Sequence, residues 1–295
     1  MNQKIERILA NVQKPGRYVG GELNAVIKDK ADVDVRFAFC FPDVYEVGMS
    51  HLGMKILYSV LNEQPDIWCE RVFAPWVDME EEMRKHDIPL FALESGDSVA
   101  EFDFIGFTLQ YELSYTNILN MLNLAGIPIR VQDRTDLFHI VVAGGPCACN
   151  PEPLADFVDL FFIGEGEQVD LEVIRLYQAC KKEGKSKEEF LQKAAQIQGV
   201  YVPSLYSVTY HDDGTIKEMI PHAAAPKTVR KRLELDMDKA YFPEKFVVPS
   251  IEIVHDRAVA EVQRGCIRGC RFCQAGFIYR PVREKSVDMI NRQCR

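Results

Sequence analysis

Three cysteines near the C-terminus lie close enough in sequence to bind one metal centre. Cys266, Cys270 and Cys273 are spaced at intervals of four and three residues on a loop that contains Gly269. Thiolates at such intervals can converge on a single centre, and soft sulfur ligands select zinc or iron–sulfur clusters. The spacing therefore predicts a metal site on this loop, with three protein ligands.

The number of ligands distinguishes two kinds of metal site. A structural zinc site normally has four protein ligands, but no Cys or His follows Cys273 at the spacing of a zinc finger, and Cys294 is 21 residues further on. Three thiolates would instead leave one iron of a cubane cluster open to an exchangeable ligand. Arg264, Arg268 and Arg271 would suit the negative charge of such a cluster or its ligand. A zinc loop and three unrelated thiols are the alternatives.

The cysteine loop resembles that of radical S-adenosylmethionine (radical SAM) enzymes. The shared features are the CxxxCxxC spacing and an aromatic residue, Phe272, directly before the last cysteine. In that family three such cysteines hold a [4Fe–4S] cluster, and S-adenosylmethionine binds the fourth iron and is cleaved reductively to a 5′-deoxyadenosyl radical. The resemblance implies that Cys266, Cys270 and Cys273 are the cluster ligands and that Phe272 lies near the cofactor.

The elements that precede this loop alternate between strands and helices. Apolar, β-rich runs and segments with helical spacing of apolar residues follow one another. The runs typical of strands are 33–40, 102–109, 137–143 and 157–163, and the helical segments are 52–61, 76–86, 111–125 and 169–182. Such alternation is typical of a parallel sheet covered by helices on both faces. The sequence predicts an α/β fold with a doubly wound, Rossmann-like parallel sheet over residues 31–185.

The segments on either side of this domain have a different composition. Residues 1–30 are predicted to be an N-terminal extension. Residues 186–250 are predicted to be a connector with short strands at 200–203 and 206–210 and a hairpin turn at 212–215. Four prolines and the basic run 227–232 indicate that the second half of the connector is a linker on the surface.

Residues 251–295 are predicted to form the first strand and loop of an incomplete radical SAM barrel. A strand-like run at 258–262 precedes the cysteine loop, and helical spacing follows at 286–292. In the proteins that this chain resembles, such a loop opens a barrel of alternating strands and helices. Because 22 residues follow Cys273, we expect a truncated or split product, or a barrel completed in trans, and an isolated chain that is inactive.

Three loops at the predicted carboxyl ends of strands form a second candidate site. Ligands of doubly wound sheets bind at these ends, near the point where the strand order reverses. The loops begin at Asp43, Thr108 and Gly144, and glycines within them would allow a ligand to approach the backbone closely.

The same loops resemble the cobalamin-binding domain that precedes the barrel in one large branch of radical SAM proteins. The pattern of that domain is DxHxxG, then SxL, then GG, and this chain has DVYEVG, TLQ and GG at the three places. The resemblance implies a cobalamin-binding-type sheet and cobalamin as an additional cofactor. Tyr45 stands where that family has its cobalt-ligating His, so the domain either holds cobalamin without this ligand or holds none. The resemblance assigns cofactor contacts to Asp43, Tyr45, Gly48, Thr108, Gly144 and Gly145.

Other polar groups near these loops have structural explanations. His51 opens a predicted helix, where we expect it to be a helix cap or a packed polar group rather than a metal ligand. Glu165 and Glu167 also lie at a helix start, where carboxylates stabilise the helix dipole as readily as they bind a ligand. Cys147 and Cys149 supply only two ligands, so we expect them to be packed thiols.

The composition limits the range of partners. The 295 residues carry a net charge of −9, which argues against a general nucleic-acid binder, although the last 40 residues contain nine Lys or Arg and four Asp or Glu. No run approaches about 18 consecutive apolar residues, so no membrane span is predicted. Nine cysteines is an odd number, which favours reduced thiols and a cytoplasmic protein.

These observations lead to three functional hypotheses. The first is a radical SAM enzyme that uses a [4Fe–4S] cluster and S-adenosylmethionine on an unknown substrate, with cobalamin as an additional cofactor if it binds. The second is a non-catalytic corrinoid- or partner-binding α/β module, the N-terminal half of a split enzyme. The third is a zinc-dependent regulatory protein.

Overall fold

The structure, a computed structural model, describes residues 3–295. Short 3₁₀ turns are left unlabelled below. The strands are β1 (Val35–Phe41), β2 (Ile67–Phe73), β3 (Phe104–Thr108), β4 (Ile140–Gly144), β5 (Leu160–Phe162), β6 (Val200–Tyr201), β7 (Tyr206–Tyr210), β8 (Ile216–Pro221), β9 (Gln263–Arg264) and β10 (Arg283–Glu284). The helices are α1 (Gln3–Leu9), α2 (Tyr45–Gly48), α3 (Leu52–Asn62), α4 (Val77–Lys85), α5 (Tyr115–Leu124), α6 (Gly166–Lys182), α7 (Lys187–Ala194), α8 (Ala275–Ile278) and α9 (Val287–Cys294).

A central six-stranded sheet organises the fold, in the order β2-β1-β3-β4-β5-β6. The first five strands are parallel, and β6 pairs antiparallel with β5. Every residue of β1, β2 and β3 is buried, as expected for parallel strands covered on both faces. The predicted α/β fold with a mostly parallel sheet is confirmed.

Helices cover both faces of this sheet and create two apolar cores. Side chains of α1, α4 and α5 pack on one face, and side chains of α3, α6 and α7 pack on the other. Within the second core the rings of Phe37 and Phe104 stack with centroids 5.8 Å apart, and Tyr177 meets Phe104 edge-on at 4.9 Å. The chain therefore winds to both sides of the sheet, and its strand order reverses between β1 and β3.

Strand β2 was not predicted because its centre is charged. Glu70 and Arg71 lie side by side in the strand, and both are buried. Arg71 pairs with Glu22 at 2.8 Å and with Glu94 at 2.7 Å, and Glu70 pairs with Arg36. Buried parallel strands usually consist of continuous apolar runs. Because Glu70 and Arg71 interrupt that run in β2, the sequence did not predict a strand here.

Helix α7 was also not predicted, whereas β6 lies within the predicted short strand at 200–203. Helix α7 begins with a capping box, in which Ser186 Oγ accepts a hydrogen bond from the Glu189 backbone N–H and Glu189 Oε2 accepts one from the Ser186 N–H. After α7 the chain turns back to place β6 on the edge of the sheet. The main sheet thus extends to Tyr201.

Other predicted elements occur with altered bounds. β4 starts at Ile140 rather than at residue 137, since His139 has φ 50° and ends the extended backbone on that side. The β7–β8 hairpin is confirmed, and so is the last helix, which is observed as α9. The strand-like run at 258–262 is not a strand; the chain becomes extended only at β9, which pairs with β10.

The basic run at 227–232 is attached to the end of the sheet. The Arg232 N–H donates to the Ile163 carbonyl at 2.8 Å, and the Glu165 N–H donates to the Arg232 carbonyl at 3.0 Å. Lys231 Nζ reaches the Ile278 carbonyl at 2.8 Å. This segment therefore connects the end of β5 to the region around the cysteine loop.

Within residues 3–295, no helix is both long and apolar enough to cross a membrane.

Candidate functional site

A cavity of about 470 Å³ lies near the carboxyl ends of the central strands. One side is formed by the sheet with α3 and the start of α6, and the other by the C-terminal segment, defined here as residues 261–285. The cavity is lined by Phe37 and Phe39 of β1 and by the end of β3 at Thr108, and the strand order reverses between these two strands. Ligands of open α/β sheets bind at this position.

The floor of the cavity is apolar and broad. Phe37 and Phe39 of β1, Val142 of β4 and Phe162 of β5 contribute side chains to it. At the centre of β3, Gly106 has no side chain, and a Cβ there would overlap the Phe37 ring. This glycine allows the Phe37 ring to lie across β3, so that the floor suits a flat apolar group.

Three residues of the predicted loops line the rim. Thr108, Gly144 and Gly145 border the cavity, and Thr108 Oγ1 accepts a hydrogen bond from Gln110 Nε2 at 2.6 Å. Gly145 has φ 103°, and a Cβ there would lie 2.8 Å from the Leu109 carbonyl oxygen. The second and third loops of the sequence motif therefore meet at this cavity.

Replacing Gly145 with Ala is expected to lower the free energy of unfolding by about 1–3 kcal/mol, because the new side chain combines an unfavourable φ with a backbone collision. Urea-induced unfolding measures the loss. Gly126→Ala is the matched control, since φ is 71° and no atom lies within 4 Å of its added Cβ. Equal losses at the two glycines would show that the collision with Leu109 is unimportant.

The motif residues of the first loop, 43–48, do not line the cavity. Tyr45 is 1% exposed and its hydroxyl donates to Glu22 Oε1 at 3.0 Å. Burial, together with Glu22, raises the pKa of Tyr45, so the hydroxyl keeps its proton. A side chain at Gly48 would overlap the Phe73 ring, and Asp43 accepts a hydrogen bond from the Tyr111 hydroxyl at 3.0 Å. These contacts hold α2 against the rest of the protein.

His51 caps α3, as expected. Its Nδ1 accepts a hydrogen bond from the Met54 backbone N–H at 3.1 Å. Burial lowers the pKa of His51, which keeps the imidazole neutral at neutral pH. The ring also lines the cavity, to which it presents an uncharged polar edge.

A network of charged side chains joins the start of α6 to the C-terminal segment. Arg264 pairs with Glu167 at 2.6 Å and Glu261 at 2.8 Å, and Arg283 pairs with Glu165 at 2.7 Å. All of these side chains are at most 16% exposed. Burial acts to raise the pKa of Glu261, but hydrogen bonds and charge from Arg264 and Lys285 outweigh it and lower that pKa. Arg264 is therefore occupied by carboxylates rather than free for an anionic ligand.

The three cysteines of the candidate metal site lie on a surface loop next to the cavity. Cys266 and Cys273 are partly exposed, Cys270 is exposed, and all three are free thiols. Gly265, directly before the loop, lines the cavity, whereas Phe272 is 94% exposed. Among residues 3–295, no three His, Cys, Asp or Glu side chains are gathered closely enough to hold a metal ion. Three accessible thiols within eight residues nevertheless suit a thiolate-ligated cluster.

The remaining cysteines differ in exposure. Cys147 is buried, and burial raises its pKa to about 11. Cys149 is exposed and lies on the cavity wall. The other buried thiols are Cys40, Cys69 and Cys180.

One acidic residue of the cavity wall was not found from the sequence. Asp170 lies on α6, is 5% exposed and lines the cavity. Its neighbours along the buried stripe of the helix are Val169, Val173 and Ile174. A carboxylate within an apolar stripe is the pattern that would have revealed it, because such a group needs a partner.

The family is decided by a match that covers just over half of the chain. A family model described as radical SAM proteins, N-terminal, matches residues 53–203. The chain belongs to this family. The match to the radical SAM family runs from α3 through β6 and includes Thr108, Gly144, Gly145 and Asp170, whereas the cysteine loop lies beyond it.

A curated relative is similar over a longer range. An uncharacterised protein of Methanocaldococcus jannaschii is 28% identical over 255 residues, which make up 85% of this chain and 43% of the relative. This chain thus spans less than half the length of that protein. No solved structure matches.

Proposed function

We propose that this chain is the N-terminal part of a radical SAM enzyme and that Cys266, Cys270 and Cys273 hold a [4Fe–4S] cluster. The observation that carries the proposal is the set of three free thiols on an exposed loop joined to the cavity, in a chain of the radical SAM family. When bound, the cluster and S-adenosylmethionine supply a 5′-deoxyadenosyl radical by reductive cleavage. The odd number of cysteines, all free, supports a cytoplasmic location.

Residues on either side of the loop fix its position. β9 enters the loop and β10 follows it, and their antiparallel pairing places Arg264 beside Arg283. Both arginines pair with carboxylates at the start of α6. Two strands and two ion pairs thus hold the base of the loop against the α/β domain, while Phe272 remains exposed next to Cys273 to pack near the cofactor.

Under the same proposal, the barrel continues beyond these 295 residues, and the complete enzyme acts on an unknown substrate. The chain spans 43% of the length of its relative, which supports a barrel whose remainder lies outside these 295 residues, in a longer chain or in a partner chain. Under this proposal the 295 residues alone do not turn over substrate.

Anaerobic iron–sulfur reconstitution tests the cluster. We expect a broad visible absorbance that bleaches on reduction with dithionite, and about four irons per chain by elemental analysis. The triple variant Cys266/Cys270/Cys273→Ala should lose both signals, whereas Cys149/Cys294→Ala, which removes two other exposed thiols, should keep them. Iron that survives in the triple variant would refute the site, and stoichiometric zinc without iron would support the zinc hypothesis.

A non-catalytic corrinoid-binding or partner-binding module is the second candidate. It is favoured by the positions of Thr108, Gly144 and Gly145 at the rim of the cavity. Asp43, Tyr45 and Gly48 lie outside the cavity lining, so these residues do not fit a corrinoid ligated through the first loop. Equilibrium binding of hydroxocobalamin, with and without Gly144→Leu, tests this candidate. Failure to bind would favour recognition of a partner chain.

A further inference from the structure

Asp170 is the acidic residue of the cavity wall that has no ionic partner. The carboxylates of Glu165, Glu167 and Glu261 are all paired with Arg or Lys. Asp170, by contrast, makes no side-chain hydrogen bond or ion pair with any residue between 3 and 295, although it is only 5% exposed. An unpaired carboxyl group in an apolar wall is costly to bury, and a partner from outside the chain would offset that cost.

The surroundings of Asp170 leave its carboxyl group available to the cavity. A Cβ on Gly166 would lie 3.2 Å from Asp170 Oδ2 and 3.1 Å from Leu57 Cδ2, so the glycine keeps the space beside the carboxyl group open. Asp170 is the fifth residue of α6. Among residues 3–295, no backbone N–H of the first helical turn donates to this carboxyl group, although such amides have no partner within the helix.

The charge of this region argues against an anionic ligand. Burial raises the pKa of Asp170 well above its ordinary value, and the nearby charge of Glu167 adds to the shift. Cys69 on β2, a buried thiol, also feels the charge of Asp170, and the apolar Leu57 of α3 lies beside Gly166. Without a ligand, Asp170 thus tends to be protonated and neutral. A cationic ligand would displace that proton and pair with the carboxylate.

We propose that the cavity binds a small organic cation, an amine or amidine carried on a flat apolar body, whose charged group pairs with Asp170. The apolar body lies on the floor formed by Phe37, Phe39 and Val142, where the Phe37 ring covers Gly106. This site goes beyond the proposed function and does not depend on a cluster, on S-adenosylmethionine or on a corrinoid.

A pair of probes with the same shape and different charge tests the proposal. Benzamidine carries a planar amidinium on a phenyl ring, and benzamide is its neutral counterpart. Isothermal titration of the full chain should show that benzamidine binds about tenfold more tightly than benzamide or better, as expected for a buried charged hydrogen bond. The affinity for benzamidine should rise with pH, since the proton must leave Asp170, whereas that for benzamide should stay constant.

Variants identify the group responsible for this preference. Asp170→Asn, which keeps the shape of the side chain, should bring the two affinities to within about twofold of each other, and benzamide binding by this variant shows that the cavity remains folded. Asp156→Asn, at an exposed aspartate, should leave the preference unchanged. Equal affinities in the natural protein, a preference that survives Asp170→Asn but disappears in Glu167→Gln, or no benzamidine binding at millimolar concentration would each overturn the proposal.

Discussion

Replacing Arg71 with Met is expected to lower the free energy of unfolding by about 3–5 kcal/mol at neutral pH. Arg71 is 2% exposed in the centre of β2, where its guanidinium bonds to Glu22 at 2.8 and 3.1 Å and to Glu94 at 2.7 Å. Methionine fills much of the same volume but leaves two buried carboxylates without a counter-charge. Chemical denaturation followed by far-UV circular dichroism measures the change.

The size of this loss should depend on pH. Burial acts to raise the pKa of Glu22, but the charge and hydrogen bonds of Arg71 outweigh it and hold that pKa below its ordinary value. In the natural protein, this lowered pKa stabilises the fold above the ordinary carboxyl pKa, and the contribution is lost as the pH falls through the folded value. In Arg71→Met burial is opposed only by the hydrogen bonds from Tyr45 and the backbone, so the pKa of Glu22 rises and the group takes up a proton at higher pH. The difference between the two proteins should therefore be larger at pH 8 than at pH 5.

Arg130→Met provides the control for Arg71→Met. Arg130 pairs with Asp156 at 3.2 Å, but the two side chains are 53% and 73% exposed, and such a pair contributes at most about 1 kcal/mol. If both variants lost the same stability, or if the loss in Arg71→Met were independent of pH, the buried ion pairs of β2 would not be what stabilises this part of the sheet.

Replacing Arg264 with Met is expected to detach the C-terminal segment from α6. The side chain is 13% exposed and pairs with Glu167, Glu261 and, at 3.5 Å, Glu165, so its loss leaves clustered carboxylates that repel one another. We expect a loss of about 2–3 kcal/mol in the protection of residues 261–285, which corresponds to amide hydrogen exchange faster by about 30- to 150-fold. Exchange in β1 and β3 should be unchanged.

Two further variants test whether the ion pairs of Arg264 attach the C-terminal segment to α6. Arg271→Met removes an exposed arginine of the cysteine loop and should leave exchange in residues 261–285 unchanged. A double-mutant cycle between Arg264→Met and Glu167→Gln should give a coupling energy of about 1–3 kcal/mol. Coupling near zero would mean that apolar contacts, and not this ion pair, attach the segment.

The elements predicted from the sequence are those whose buried residues are mainly apolar. β1, β3, α3 and α6 follow directly from hydrophobic periodicity, because each covers one face of the sheet or lies within it. β2 escaped because Glu70 and Arg71 find their partners far away in sequence, and periodicity does not report such partners. The Ser186–Glu189 capping box of α7 could be recognised in the sequence. The helix is short and has few apolar residues, however, so its hydrophobic periodicity did not indicate a helix.

The candidate site was predicted in part for a similar reason. Strand ends at β3 and β4 placed Thr108, Gly144 and Gly145 at one edge, and the structure brings them to the cavity. Tyr45 was grouped with them through a linear motif, although the turn of α2 points its side chain towards Glu22. Asp170 could have been found as a carboxylate in the apolar stripe of α6, whereas the pairs of Arg264 with Glu165 and Glu167 depend on the packing of distant segments, which no local pattern encodes.

The cavity wall is shared by two parts of the chain, and this has a thermodynamic consequence. Glu261, Arg264, Gly265, Ile278, Tyr279 and Arg283 complete the wall that the sheet, α3 and α6 begin. A ligand that needs both halves binds only when the C-terminal segment is docked, so it adds RT ln(1 + [L]/Kd) to the docking free energy. By reciprocity, any group that orders the cysteine loop raises the affinity of the cavity for its ligand. Ligand binding in the cavity and ordering of the cysteine loop are thus thermodynamically coupled, and each favours the other.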